Sequence, residues 1–450
     1  MKVLVLNGSP KGDYSITLQT VKYIEYFYPQ CEFEVLNVGK RIKAFEKDFS
    51  SAEEALKSAD ILLFSYPVYT FIAPYQLHRF IEIIKEKGIS LEDKFATQIS
   101  TSKHFYDTTA HRYIQDNCGD LGLKYIKGLS ADMDDLLTEK GQKQAVDFFK
   151  FVLWSVENNK SEKISTVSTP KKAANVTVPD NKCENKQGDV VILTNCKKDD
   201  NQLKNMIDRF SAVSKRTTRI INIGEYAFSG GCLGCFNCAS TGKCIYKDGF
   251  DEFLRNEIQK TQAIVYAFSI KDHSMGASFK LYDDRQFCNG HRTVTMGMPI
   301  GYLISGNYSE EFNLQTIVEG RAQVGTNFLA GVATDEVDPN SEIDALSETL
   351  EFAIENSYVP PQNFYGIGGM KIFRDLIWLM QGLMRADHKF FKSHGQYDFP
   401  QKKRGTMLAM YAVGSLMSSP KLKKKAGNMM NEGMIMPYKK VLDNLKNDKK

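Results

Sequence analysis

The sequence lacks any apolar run long enough to cross a membrane. The longest, around Ile377, Trp378, Leu379 and Met380, falls well short of the roughly 20 residues a spanning helix needs. A basic and then apolar leader is missing too: MKVLVLNGSP already reads as a strand and a loop, so a soluble, cytoplasmic protein is expected. The paired, scattered cysteines of a secreted scaffold are also absent. The nine cysteines are an odd number and four of them crowd into positions 232–244, which suits a reducing compartment and a metal site. No basic–aromatic stripe points to nucleic acid. The GIGG at 366–369 stands outside any βαβ unit and carries no functional weight.

What is present is a globular composition, 42% hydrophobic and 25% charged over 450 residues, enough for two or three domains. The net charge of +4 hides a basic end, because residues 401–450 hold twelve Lys/Arg against three acidic residues. A solvated tail is the plain reading. The alternative is a Met-rich basic helix, with Met407, Met410, Met429, Met430, Met434 and Met436, docking on a membrane surface or a partner.

Residues 1–156 alternate strand and helix. Strands are expected at Lys2–Leu6, Phe33–Val38, Asp60–Ser65, Lys94–Ser100 and Lys124–Gly128, with helices at Ser15–Phe27, Pro74–Lys87, Thr109–Leu121 and Lys140–Val156. Residues 157–188 are polar and form a linker. The pattern then restarts, Asp189–Asn195 matching Lys2–Asn7 and Gln262–Ser269 matching Asp60–Ser65. Third-to-fourth strand intervals are 34 residues (60 to 94) and 35 (262 to 297), whereas first-to-third intervals are 58 (2 to 60) and 73 (189 to 262). One insertion, where the cysteines lie, explains the mismatch. The expected architecture is α/β: two tandem doubly wound parallel five-stranded sheets, at 1–156 and 189–358, and a helical C-terminal extension at 359–450.

The turn after the first strand runs from Asn7 to Thr17 and opens a helix. A helix N-terminus offers unpaired N–H groups and positive potential, which favour a phosphate. Ser9, Ser15 and Thr17 can add hydrogen bonds and Lys11 a charge; a plain turn with Ser15 as N-cap is the other reading. A second loop, Tyr66-Pro67-Val68-Tyr69-Thr70-Phe71-Ile72-Ala73-Pro74, is followed by Gln76-Leu77-His78-Arg79-Phe80-Ile81. A third runs from Ser100 through Thr101, Ser102, Lys103 and His104 to Asp107. His104, Asp107 and His111 lack further ligands in sequence, so polar helix-opening residues are favoured there over a metal set.

In the second half, Cys232, Cys235, Cys238 and Cys244 follow a C-x2-C-x2-C-x5-C pattern. Three thiolates two residues apart can wrap one face of a cubane cluster and the fourth can close it. Structural zinc usually takes two separated C-x2-C knuckles, and stays as the alternative beside free thiols.

Together the first two loops resemble the NAD(P)H-dependent FMN reductase and iron–sulfur flavoprotein group of flavodoxin-like proteins. That group carries G-S-P-x4-S-x-T and then P-V-Y followed by P-x-x-L-x-x-F-I. The resemblance covers most of residues 1–156 and extends to the cysteine pattern with its G-K-C-x-x-K-D stretch at Lys243, Lys247 and Asp248. It implies FMN with its phosphate at Ser9, Lys11, Ser15, Ile16 and Thr17. Pro67, Val68, Tyr69, Thr70 and Phe71 would line the ring, with Thr101, Ser102 and His104 closing over it. It further implies a [4Fe–4S] cluster on the four cysteines. The second half lacks both flavin loops and puts Asp199 and Asp200 where a phosphate would sit, so one flavin and one cluster per chain are expected.

The resemblance implies an oxidoreductase passing electrons between NAD(P)H or a ferredoxin-type donor, the two centres and an acceptor, either a small molecule or a redox protein. A non-enzymatic electron carrier or a redox sensor is the alternative. Homo-oligomeric relatives bring the cluster of one subunit near the flavin of another. The repeat is expected to do so within one chain as a pseudo-dimer, with a homo-oligomer of the whole chain left open.

Overall fold

Strand β1 (Lys2–Asn7) buries every residue after Lys2, as a strand covered by helices on both faces must. The structure is a computed structural model and describes residues 1–164, 173–180, 183–184, 186–399 and 404–417. The first sheet continues with β2 (Glu32–Leu36), β3 (Ile61–Pro67), β4 (Phe95–Ser102), β5 (Lys124–Tyr125) and β6 (Leu129–Asp132). All are parallel, in the order β2-β1-β3-β4-β5, and β6 also pairs with β4. Successive residues serve opposite faces. Leu4, Leu6, Leu62 and Phe64 join one core cluster, while Val3, Val5, Ile61 and Leu63 join another.

The strand expected at 124–128 is broken in two. Its first part pairs with Phe95 and Ala96, and β6 pairs with Ile99–Ser102. Between them Gly128 passes so near Gln98 that a Cβ would lie 2.3 Å from its Cγ, so the edge steps around this buried side chain. Two helices in the first half, Val38–Phe45 and Ser50–Ser58, had no counterpart in the sequence reading. Both are short and neither has a side-chain N-cap, so the usual start signal is missing.

The second sheet holds β7 (Gln187–Thr194), β8 (Arg216–Asn222), β9 (Ala263–Ser269), β10 (Pro299–Ser305) and β11 (Phe328–Thr334). Its order, β11-β10-β9-β7-β8, is that of the first sheet read from the opposite edge. The extra sequence lies between β8 and β9 and carries the four cysteines.

Both sheets belong to one compact unit, Met1–Phe391. The helices Tyr75–Glu86 and Gly276–Arg285 pack together with matched chemistry: the Tyr75 N–H donates to Asp284 Oδ2 (2.7 Å) and the Ala277 N–H to Glu82 Oε1 (2.7 Å). Tyr75 corresponds to Ala277 and Glu82 to Asp284 under one constant sequence offset, so the halves meet as an approximate two-fold pair. The loops after β3 and β9 repeat the same geometry, with Tyr69 bridged to Ile72 and Lys271 to Ser274.

The helical extension expected from 359 begins with two helices, Phe364–Leu379 and Arg385–Ser393. Lys392–Lys450 is a separate unit in which the helix Arg404–Met417 is described; Met429, Met430, Met434, Met436 and most of the basic tail lie outside the described residues. No described helix is long and apolar enough to cross a membrane.

Candidate cofactor site between the two sheets

The loop after β1 is shaped by Asn7. Its Nδ2 donates to the Gly12 carbonyl (3.1 Å) and Asn37 Oδ1 (2.8 Å), and its Oδ1 accepts from the Ser9 N–H (3.3 Å). Ser9 Oγ in turn accepts from the Lys11 N–H (3.3 Å). Ser15 caps the helix Ile16–Phe27, its Oγ accepting from the Leu18 N–H (3.4 Å). Sequence reasoning missed Asn37 and Gly39. A Cβ at Gly39 would lie 2.3 Å from the Ser9 backbone, so only glycine lets the next helix pack against this loop.

The loop after β3 is held from below by the second half. Thr70 (φ 42°) and Phe71 (φ 77°) are left-handed non-glycine residues, a conformation that needs external support. Thr70 Oγ1 donates to Asp283 and lies 3.0 Å from Asp284 Oδ1. Lys280 Nζ donates to the Tyr69 carbonyl (3.0 Å) and to Asp283 (3.2 Å), and pairs with Asp284. Arg321 donates to the Thr70 carbonyl (3.1 Å) and Asp283 Oδ2 (2.8 Å). The Lys280 and Asp284 side chains are 0% exposed. Burial pushes the Asp284 carboxyl up; burial does the same at Asp283, but Arg321 and Lys280 outweigh it and hold that carboxyl low. Nothing in the sequence of either half alone signals this network.

These loops frame a cavity of about 430 Å³. Ser9, Lys11, Ser15, Ile16, Thr17, Pro67, Val68, Tyr69, Thr70, Phe71, Thr101 and Ser102 all line it. His104 is not among them. It is half exposed, lies at φ 55° and pairs with Asp107 (2.7 Å). His111 faces Ser100 Oγ instead (2.8 Å), and burial lowers its pKa to about 4, so His104, Asp107 and His111 do not gather as a metal set. Thr101 Oγ1 is buried against this cavity with no hydrogen-bond partner, an orphaned polar atom that fits a polar ligand.

Cys232, Cys235, Cys238 and Cys244 line the same cavity from the other side. Their segment docks on the first half through its glycines. A Cβ at Gly231 would sit 2.7 Å from Tyr75 Cδ1, and one at Gly234 (φ +60°) 2.0 Å from the Tyr69 hydroxyl. Lys11 Nζ lies over the Phe236 ring at 5.7 Å. The Gly234 N–H donates to Cys232 Sγ (3.4 Å). Arg285, 1% exposed, is doubly paired with Asp248 (2.8 Å for each bond), reaches Cys244 Sγ (4.0 Å) and sits over Tyr246. That pairing holds Asp248 far below the usual carboxylate range. Among the described residues no three His, Cys, Asp or Glu side chains are gathered as they would be around a metal ion. The four thiols nonetheless line the same cavity, with N–H and guanidinium donors beside two of them, a donor chemistry that suits thiolate-bound iron.

Residues 1–131 match the family model described as a flavodoxin-like fold. An iron–sulfur flavoprotein of Clostridioides difficile (strain 630) is 24% identical over 140 residues, 29% of this chain and 61% of that protein. The chain thus matches about three fifths of that curated relative's length. Similar solved structures include an FMN-dependent NADH-azoreductase from Bacillus anthracis in complex with FMN, 16% identical, covering 36% of this chain and 99% of that one at a TM-score of 0.26. An NAD(P)H:quinone oxidoreductase from Methanothermobacter marburgensis is 12% identical and covers 37% of this chain and 98% of that one, with a TM-score of 0.28.

Proposed function

We propose that the chain is a flavin-dependent oxidoreductase that binds FMN on its first half and a [4Fe–4S] cluster on Cys232, Cys235, Cys238 and Cys244. One observation carries the reading: the loops of Ser9, Tyr69 and Thr101 and the four-cysteine segment, more than a hundred positions apart, line one cavity. The similarity of part of the chain to an iron–sulfur flavoprotein supports it.

In this reading the start of the helix Ile16–Phe27, with Ser9, Ser15, Thr17 and Lys11, holds the phosphate. The Pro67–Phe71 loop, fixed by Lys280, Asp283, Asp284 and Arg321, orients the ring without moving when it binds. Thr101 offers its free hydroxyl to a polar edge. Arg285 and the Gly234 N–H place hydrogen-bond donors beside Cys244 Sγ (4.0 Å) and Cys232 Sγ (3.4 Å). Bound there, FMN would supply chemistry in electron pairs and the cluster chemistry in single electrons. NAD(P)H or a ferredoxin-type protein is the donor, a small molecule or redox protein the acceptor, and the cytoplasm the compartment.

Steady NAD(P)H oxidation by anaerobically purified protein with an added electron acceptor tests the enzyme reading. Turnover that needs both bound flavin and intact cysteines is expected. A protein that loads both groups yet never turns over would be a carrier.

A further inference from the structure

The helix Arg404–Met417, outside the unit that holds the cavity, has no polar side to give to water. It reads RGTMLAMYAVGSLM, and Arg404 is its one charged residue. Residues 404–409, 411–413 and 415 are all exposed. At about 3.6 residues per turn, Met407, Leu408 and Tyr411 share one flank, while Ala409 and Val413 lie on the opposite one. The exposure is large on both, 66% at Leu408 and 74% at Tyr411 against 48% at Val413. Ser415 Oγ donates to the Tyr411 carbonyl (2.9 Å), so that hydroxyl needs no water.

A helix apolar on every side belongs in an apolar surrounding. A protein groove or a second copy of the helix would cover one flank and leave the other wet, whereas lipid covers both. Charge in the sequence selects the kind of lipid. Lys402, Lys403 and Arg404 stand at one end of the apolar stretch and the lysines at 421 and 423–425 past the other, with no acidic residue between Phe399 and Asn431. Basic groups of this kind are drawn to anionic headgroups. Fourteen residues rise only about 21 Å, short of a hydrocarbon layer of about 30 Å, so both basic ends must stay at one surface.

We propose that Arg404–Met417 is a membrane-surface anchor, lying in the headgroup–acyl boundary of an anionic phospholipid bilayer with Leu408, Tyr411 and Val413 against acyl chains. The anchor does not depend on what the cavity holds.

The test is co-sedimentation of the full chain with vesicles of equal parts phosphatidylglycerol and phosphatidylcholine, and with vesicles of phosphatidylcholine alone. The anionic vesicles should bind the chain at least about ten-fold more tightly, and high salt should remove most of that advantage. Leu408→Asn with Tyr411→Asn changes two exposed side chains and no charge, so the variant should fold normally and bind anionic vesicles at least about ten-fold more weakly. No binding to anionic vesicles, equal binding to the two kinds, or undiminished binding by the double variant would each overturn the inference. A chain that instead dimerises by light scattering, and loses its dimer in the double variant, has a second copy on this helix and overturns it too.

Discussion

Replacing Lys280 by Met should be the most damaging single change in the interface between the two halves. The side chain is fully buried and is the only cation among the described residues within 4.0 Å of Asp284, which has no exposure of its own. Met keeps the stem and removes the charge. Asp283 retains Arg321 at 2.8 Å, but Asp284 is left a buried carboxylate facing a second one. Removing one partner of a buried pair costs about 3–5 kcal/mol, and the lost bond to the Tyr69 carbonyl adds about 1 kcal/mol. Urea unfolding followed by fluorescence should therefore show a loss of about 4–6 kcal/mol at neutral pH. Adding Asp284→Asn should return most of it, because the stranded charge is then gone. Free Lys280→Met should also hold flavin less tightly, since Thr70 and Phe71 lose part of their support. A loss below about 1 kcal/mol, or no recovery in the double variant, would refute the argument that these charges depend on one another.

Other outcomes follow from the same geometry. His273 is buried, which disfavours its charge, but its pairing with Asp120 and Glu311 (each 3.0 Å) prevails and raises its pKa to about 9. With the folded value above the unfolded one, this stabilisation is complete below about pH 6.5 and lost as pH rises through about 9, some 3 kcal/mol at most; His273→Gln should flatten the pH dependence of unfolding over that window. Thr101→Val should leave the flavin-free protein as stable or more so, because it removes an orphaned hydroxyl, and should weaken FMN binding about ten-fold; unchanged affinity by fluorescence titration would remove Thr101 from the site. Gly234→Ala should lower iron content and stability, by about 1–3 kcal/mol, through its positive φ and the clash with Tyr69, and Tyr69→Phe should restore part of the loss; an Ala variant with full iron would show that the segment does not dock there.

Much of this molecule was legible from local patterns. The apolar strands, the two-fold repeat and the loops of Ser9 and Tyr69 are written in contiguous residues, and twelve of the thirteen expected cofactor residues line one cavity. His104 does not, because its ring turns to Asp107 at the opening of the next helix. What stayed hidden is what the halves do to each other. Lys280, Asp283, Asp284 and Arg321 read as ordinary helix residues with the charges of a solvated face, and only the packing of one half on the other buries them beneath Tyr69 and Thr70. The glycines at 231 and 234 make room for Tyr75 and Tyr69, a fit that no pattern within the second half announces. Gly39 and Asn37 escaped notice because the short helix they begin has no side-chain cap.

The central claim is that two redox centres share the cavity between the sheets. It is tested most directly by preparing the full chain without oxygen and recording its visible spectrum together with flavin, iron and sulfide contents. The account predicts a coloured protein with about one FMN and about four iron and four sulfide per chain, the iron lost and the flavin kept in Cys238→Ser. A colourless protein that neither takes up added FMN nor binds iron would contradict it.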